Sequence, residues 1–216
     1  MSSPALSARR WLELWQRLGV LHTTSATYGA LADEFVALKA RYDEKHRHYH
    51  TARHIAECLA HFDGARALCE HADEVEIALW FHDAIYDERG NDNEAQSAAW
   101  AERVMLKAGL IGESAQRVHA LIMTTCHNAL PETQDEQVLV DIDLAILGAA
   151  PERFDEYETQ VRAEYAWVPE FMFKRTRRKI LEGFLARPAI YSTAHFRDAL
   201  EARARENLAR SLSALA

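Results

Sequence analysis

The chain has 216 residues, 49% hydrophobic and 27% charged, the balance of a globular protein long enough to bury a sizeable core. Gly (8) and Pro (5) are scarce, which favours helix and argues against a turn-rich sandwich or barrel. A formal net charge of -8 excludes wholesale coating of nucleic acid and argues against a nucleic-acid partner.

Apolar residues recur at helical spacing along most of the chain. Leu6, Trp11, Leu14, Trp15 and Leu18 predict a first helix ending at Gly19. Leu31, Phe35, Val36 and Leu38 predict a second that stops near Tyr42. Ile55, Leu59 and Phe62 share one face of a third. Val75, Ala78, Leu79, His82 and Tyr86 repeat the pattern in a fourth, closed by the loop 87–92. Further helices are predicted at 93–109, 114–125, 134–148, 151–166, 169–186 and 193–213. Pro131, Pro151, Pro169 and Pro188 fall between these segments, as residues that break or start helices do. The pairs Arg197–Glu201, Glu201–Arg205 and Glu206–Arg210, at i, i+4, mark a solvated face on the last helix. The expected fold is all-α, a single helical domain of nine or ten helices over 1–216. Its catalytic core is expected at about 45–150, with the helices of 151–216 packed on it.

Three cysteines, Cys58, Cys69 and Cys126, form no paired metal spacing and leave an odd count, as reduced thiols do. No apolar run approaches the ~20 residues that span a bilayer. Residues 1–15 lack the basic, apolar and small-residue regions of a leader. The expected setting is cytoplasmic, with no membrane partner.

Three interruptions of the apolar pattern carry chemistry. His50 and His54 stand at i, i+4, which on a helix puts two imidazoles on one side, about 5–6 Å apart at Cβ. They can share a metal, or one can ligate while the other moves a proton; an exposed polar helix start is the even alternative. His82 lies on the apolar stripe of its helix and Asp83 follows, inside Leu79-Trp80-Phe81-His82-Asp83-Ala84-Ile85-Tyr86. A carboxylate buried among aromatics is costly unless a cation or several donors compensate it; a His–Asp bond serving packing alone is the other reading. Asp143 has Leu139, Val140, Ile146 and Leu147 as its i±3 and i±4 neighbours, so it is a better buried ligand than Asp141. For Asp141 an N-cap or solvent-facing role is the alternative. His54, His82, Asp83 and Asp143 together offer two imidazoles and two carboxylates. That mixed set suits one divalent ion (Mn, Fe, Co, Ni, Zn or Mg) and is too hard for a thiolate-type site.

The order H…HD…D resembles the HD superfamily of metal-dependent phosphohydrolases, which are helical enzymes. Tyr49-His50-x3-His54, Phe81-His82-Asp83-Ala84-Ile85-Tyr86, Asp92-Asn93-Glu94-x2-Ser97-Ala98 and Asp141-x-Asp143-Leu144-x2-Leu147-Gly148 are similar to a bacterial branch labelled predicted metal-dependent HD phosphohydrolase. The likeness continues into Arg187-Pro188-Ala189-Ile190-Tyr191 and Glu201-Ala202-Arg203-x3-Asn207-Leu208. Cyclic-nucleotide phosphodiesterases, distant helical relatives, share a Tyr-His-x3-His element. By that resemblance His54 is a ligand and His50 a general acid toward the leaving oxygen. The same resemblance puts the last ligand at Asp143. Asn93 stands where many two-metal members carry His, so one metal is implied rather than two.

Two residues are candidates to extend the site. Glu94 is a candidate base or orienting group, although Glu near a helix N-terminus is common for dipole reasons alone. His127, which resembles a helix-end His of several HD branches, is a candidate contact to phosphate or a second ion, with an exposed loop His the even alternative. Within Lys174-Arg175-Thr176-Arg177-Arg178-Lys179, Arg175 and Arg178 share a helical face and are candidates for gripping a substrate phosphate. A solvated helix surface is the commoner fate of such a run. Trp80, Phe81, Trp100 and Trp167 could stack a base, although core packing accounts for them more simply. The expected function is a metal-dependent phosphohydrolase acting on a small phosphorylated metabolite, with nucleotides among the candidates. The alternatives are a two-iron HD-type oxygenase and a non-catalytic, metal-stabilised regulatory protein. A homo-oligomer is compatible with either kind.

Overall fold

The computed structural model describes residues 6–20 and 25–215. Residues 1–5, part of the stretch 1–15 that lacks leader features, lie outside the described residues. Every regular element among the described residues is helical, as expected. The order is α1 (Ala8–Arg17), α2 (Ser25–Tyr42), α3 (Ala52–Ala65), α4 (Ala72–Phe81), α5 (Asn93–Lys107), α6 (Gly112–Thr124), α7 (Gln134–Asp143), α8 (Pro151–Glu164), α9 (Glu170–Leu185) and α10 (Ala194–Ala214). Short 3-10 turns occupy Arg66–Leu68 and Leu144–Gly148. None of these helices is long and apolar enough to cross a membrane. The chain divides into two compact units, residues 1–139 and 140–216.

Side-chain caps start several helices. Ser7, Thr51 and Thr193 hold extended backbone, and each hydroxyl accepts a first-turn N–H, of Arg10, Arg53 and Phe196. Gly19 adopts φ +89 just beyond α1, the left-handed conformation that glycine takes most cheaply.

In residues 1–139, α1 buries Trp11, Leu14 and Trp15. The Trp11 ring meets Trp15 at 5.3 Å, Trp80 at 5.4 Å and Phe81 at 5.8 Å, and its Nε1 donates to the Leu31 carbonyl. Burying a large apolar side chain contributes roughly 1.5–3 kcal/mol. Trp80, Phe81 and Trp100 therefore serve packing, and Trp100 Nε1 is tied to Glu34. Glu76, buried on α4, accepts from Arg10, Arg17 and Arg66, which fastens α1 and the end of α3 to α4.

In residues 140–216, the buried carboxylate of Asp141 anchors the start of α10. It accepts the N–H groups of Ser192 and Thr193 and the Thr193 hydroxyl, each at 2.7 Å. Burial pushes its carboxyl above the ordinary range against the pull of those three bonds. Asp141 thus neither faces solvent nor caps its own helix.

Two predicted helices are shorter than their apolar patterns. The fourth ends at Phe81 rather than near Tyr86, because the chain turns at His82 and Asp83 and the Ile85 N–H binds the Ser97 hydroxyl. The seventh gives way to a 3-10 turn after Asp143. There Tyr191 donates to the Leu144 carbonyl and Asn207 to those of Leu147 and Ala149, replacing helical partners. Gly148 lies in this turn, and a Cβ on it would stand 2.7 Å from Leu200 Cβ and 2.9 Å from the Leu200 carbonyl oxygen. Gly148→Ala is expected to destabilise the protein by about 1–3 kcal/mol, read as a lower thermal midpoint. An unchanged midpoint would refute this packing argument.

Candidate metal centre

Thr51 sets the start of α3, so His54 falls one turn in, on the buried stripe with Ile55, Cys58, Leu59 and Phe62. His82 closes α4 and is buried, while Asp83, next in the turn, keeps partial access to solvent. Three atoms converge there. His54 Nε2 lies 3.2 Å from His82 Nε2, and Asp83 Oδ2 lies 3.3 Å and 3.1 Å from them in turn.

The tautomer of His82 follows from its other nitrogen. Nδ1 sits 3.0 Å from the Leu79 carbonyl, which can only accept, so Nδ1 carries the hydrogen. Nε2 then meets the cluster with a lone pair when the ring is neutral and donates to Asp83 when the ring is protonated. Two imidazole nitrogens and a carboxylate oxygen this close need a proton or a cation between them. Ligands bonded at about 2.0–2.2 Å to one divalent ion stand roughly 2.9–3.6 Å apart. The observed triangle of 3.1–3.3 Å fits that spacing on every edge. Burial alone would raise the Asp83 carboxyl; His82 and His50, with bonds from His54 and His82, hold it well below the usual carboxylate range.

The other expected residues fall as follows. The His50 ring stacks on Tyr86 with centroids 4.2 Å apart, and its centroid is 6.1 Å from that of His54, so it flanks the triangle. Glu94 hydrogen-bonds the Cys126 thiol, whose pKa rises through burial and this carboxylate together. His127 follows with φ +53, a left-handed conformation uncommon outside glycine and one met at functional sites. Asn93 binds the Asp87 N–H and carbonyl through both ends of its amide, closing the loop 87–92.

Asp143, the last residue of α7, is partly buried and belongs to residues 140–216. Arg175 and Arg178 lie on the outer part of α9, with Arg178 beside Glu182 at 3.9 Å. Arg177 turns inward instead and pairs with Glu158 beneath the exposed run.

Cys58 was not expected here. Its Sγ lies 3.7 Å from both ring nitrogens of His54, and His54, Cys58 and His82 each offer a ligand atom within 4.8 Å of the others. The pattern His54-x3-Cys58 is legible in the sequence as an i, i+4 pair, although no second cysteine stands at metal-binding spacing to mark it. A buried His/Cys/Asp cluster able to hold a metal is therefore present on an all-helical scaffold. Compared with protein-family models, with curated proteins and with solved structures, the chain matches none.

Proposed function

We propose that this protein is a metal-dependent phosphohydrolase of the HD type, acting on a small phosphorylated metabolite, with nucleotides the first class to test. One observation carries the reading: the convergence of His54 Nε2, His82 Nε2 and Asp83 Oδ2 within 3.1–3.3 Å. These three side chains would hold one divalent ion. When bound, such an ion supplies Lewis acidity toward a phosphoryl oxygen and an activated water as nucleophile.

The chain's own residues do the rest. An imidazole N–H of His50, steadied by the Tyr86 ring, delivers a proton to the leaving oxygen. Glu94 orients the nucleophile by accepting a hydrogen bond, and His127 contacts the phosphate.

The direct test is phosphate release from a panel of nucleotides and sugar phosphates, with the purified chain stripped by chelator and then reloaded with Mn, Fe, Co, Ni, Zn or Mg. Turnover that vanishes on chelation and returns with one ion is the expected result. A protein that binds metal yet turns over no phosphorylated compound would favour the regulatory role instead, and two bound irons would favour an oxygenase.

A further inference from the structure

Arg47 lies between α2 and α3 with its side chain wholly buried. Its guanidinium serves acceptors on two separate segments. Nη1 donates to the Asp83 carbonyl at 2.6 Å and to the His50 carbonyl at 3.1 Å, and Nη2 donates to the Ala84 carbonyl at 2.9 Å. Nε is held by Glu44 Oε2 at 3.1 Å. The cation also sits over the Tyr42 and Tyr86 rings, 5.3 Å and 5.5 Å from their centroids.

Neighbouring contacts run between the same two segments. His46 Nε2 meets the Tyr86 carbonyl at 3.0 Å, and His50 stacks on Tyr86. The Asp83 and Ala84 carbonyls lie beyond the end of α4, where backbone acceptors lack helical partners. A planar fork of five N–H donors can serve them together with the His50 carbonyl; a lysine ammonium, a single compact charge, cannot span all three.

We infer that Arg47 is a positioning residue for the metal centre: it fixes the segment bearing His50 and His54 against the turn bearing His82 and Asp83. One of its bonds goes to the backbone of Asp83 itself, so any shift of the fork moves a ligand and not merely the scaffold. The inference rests on the metal-centre reading above. Groups that orient metal ligands are typically worth about 10–100-fold in metal affinity.

The test uses the full chain, with Co2+ alone as the probe. Affinity is measured by competition with a chelator, well below the melting midpoint of each metal-free protein. Arg47→Lys is expected to bind Co2+ about 10–100-fold more weakly than wild type, with a changed d–d absorption spectrum for the ion that does bind. Glu44→Gln leaves the buried guanidinium in place while loosening its hold, and a smaller loss in the same direction is expected. It carries the test alone if Arg47→Lys does not fold. Wild-type Co2+ affinity in the folded variants, even with lowered midpoints, would reduce Arg47 to a scaffold residue and overturn the inference. A wild-type chain that binds no Co2+ would sink the metal-centre reading, and this inference with it.

Discussion

Asp83→Ala is expected to abolish metal retention and lower metal-dependent phosphate release by about 10³-fold or more. A catalytic cation supplies several kcal/mol, and each ~1.4 kcal/mol is a factor of ten. The side chain provides the only carboxylate oxygen in the triangle with His54 and His82. Without it the triangle keeps only its two imidazoles and loses the oxygen donor that a hard ion requires, and an ion of any type is left with fewer ligands. Elemental analysis of wild type beside Asp83→Ala and the double variant His82→Ala, Asp83→Ala reads this directly. Melting gives a second reading. A ligand at about 100 times its Kd stabilises the native state by about 2.7 kcal/mol, which in a chain of this size raises the midpoint by roughly 5–10 °C. Wild type should show that rise with metal and Asp83→Ala should not. Equal metal content and equal turnover in the variant would dismiss the proposed mechanism.

Asp141→Ala should instead damage stability while touching none of the residues of that triangle. Removing the carboxylate leaves the Ser192 and Thr193 N–H groups and the Thr193 hydroxyl without their acceptor. Burying unsatisfied donors of this kind costs about 1–3 kcal/mol each when solvent cannot reach them, so a total loss of roughly 3–4 kcal/mol is expected after relaxation. Chemical denaturation would measure it, and a loss below about 1 kcal/mol would show that the anchor is dispensable.

The pH dependence has a definite sign. Burial raises the Asp141 carboxyl in the folded chain above its unfolded value. The native state therefore binds this proton more tightly. The resulting stabilisation is fully present below the unfolded pKa of about 3.9 and is lost as pH rises through the folded value. Asp141→Asn cannot titrate, so over that window its stability should fall less with pH than that of wild type. A parallel fall in both proteins would refute the assignment.

The two aspartates of Asp141-x-Asp143 show where local patterns stop being informative. Neighbours at i±3 and i±4 are more polar around Asp141, which suggested a cap or solvent-facing role. Yet Asp141 is fully buried, because Ser192 and Thr193, some fifty residues on, supply its donors. Nothing within one helical turn of Asp141 encodes that partner. The end of α4 has a similar cause. Its apolar stripe runs on to Tyr86, but Arg47 binds the carbonyls of Asp83 and Ala84 and Ser97 binds the Ile85 N–H, so the helix stops at Phe81.

The sequence by itself determined the all-helical class, the order of the helices and the pointing of His82 into the interior. Each of these follows from spacing within a few residues, and the 3.6-residue period carries that spacing into three dimensions. It also marked Asp83 as an anomaly, because a carboxylate inside an aromatic run needs a compensating charge. Only the tertiary structure decided that His54 Nε2, His82 Nε2 and Asp83 Oδ2 meet at 3.1–3.3 Å, that Cys58 lies beside them, and that Arg47 pins both segments. Those facts depend on how α3 packs against α4, and side chains distant along the chain set that packing by filling space together. No periodicity within either helix records it.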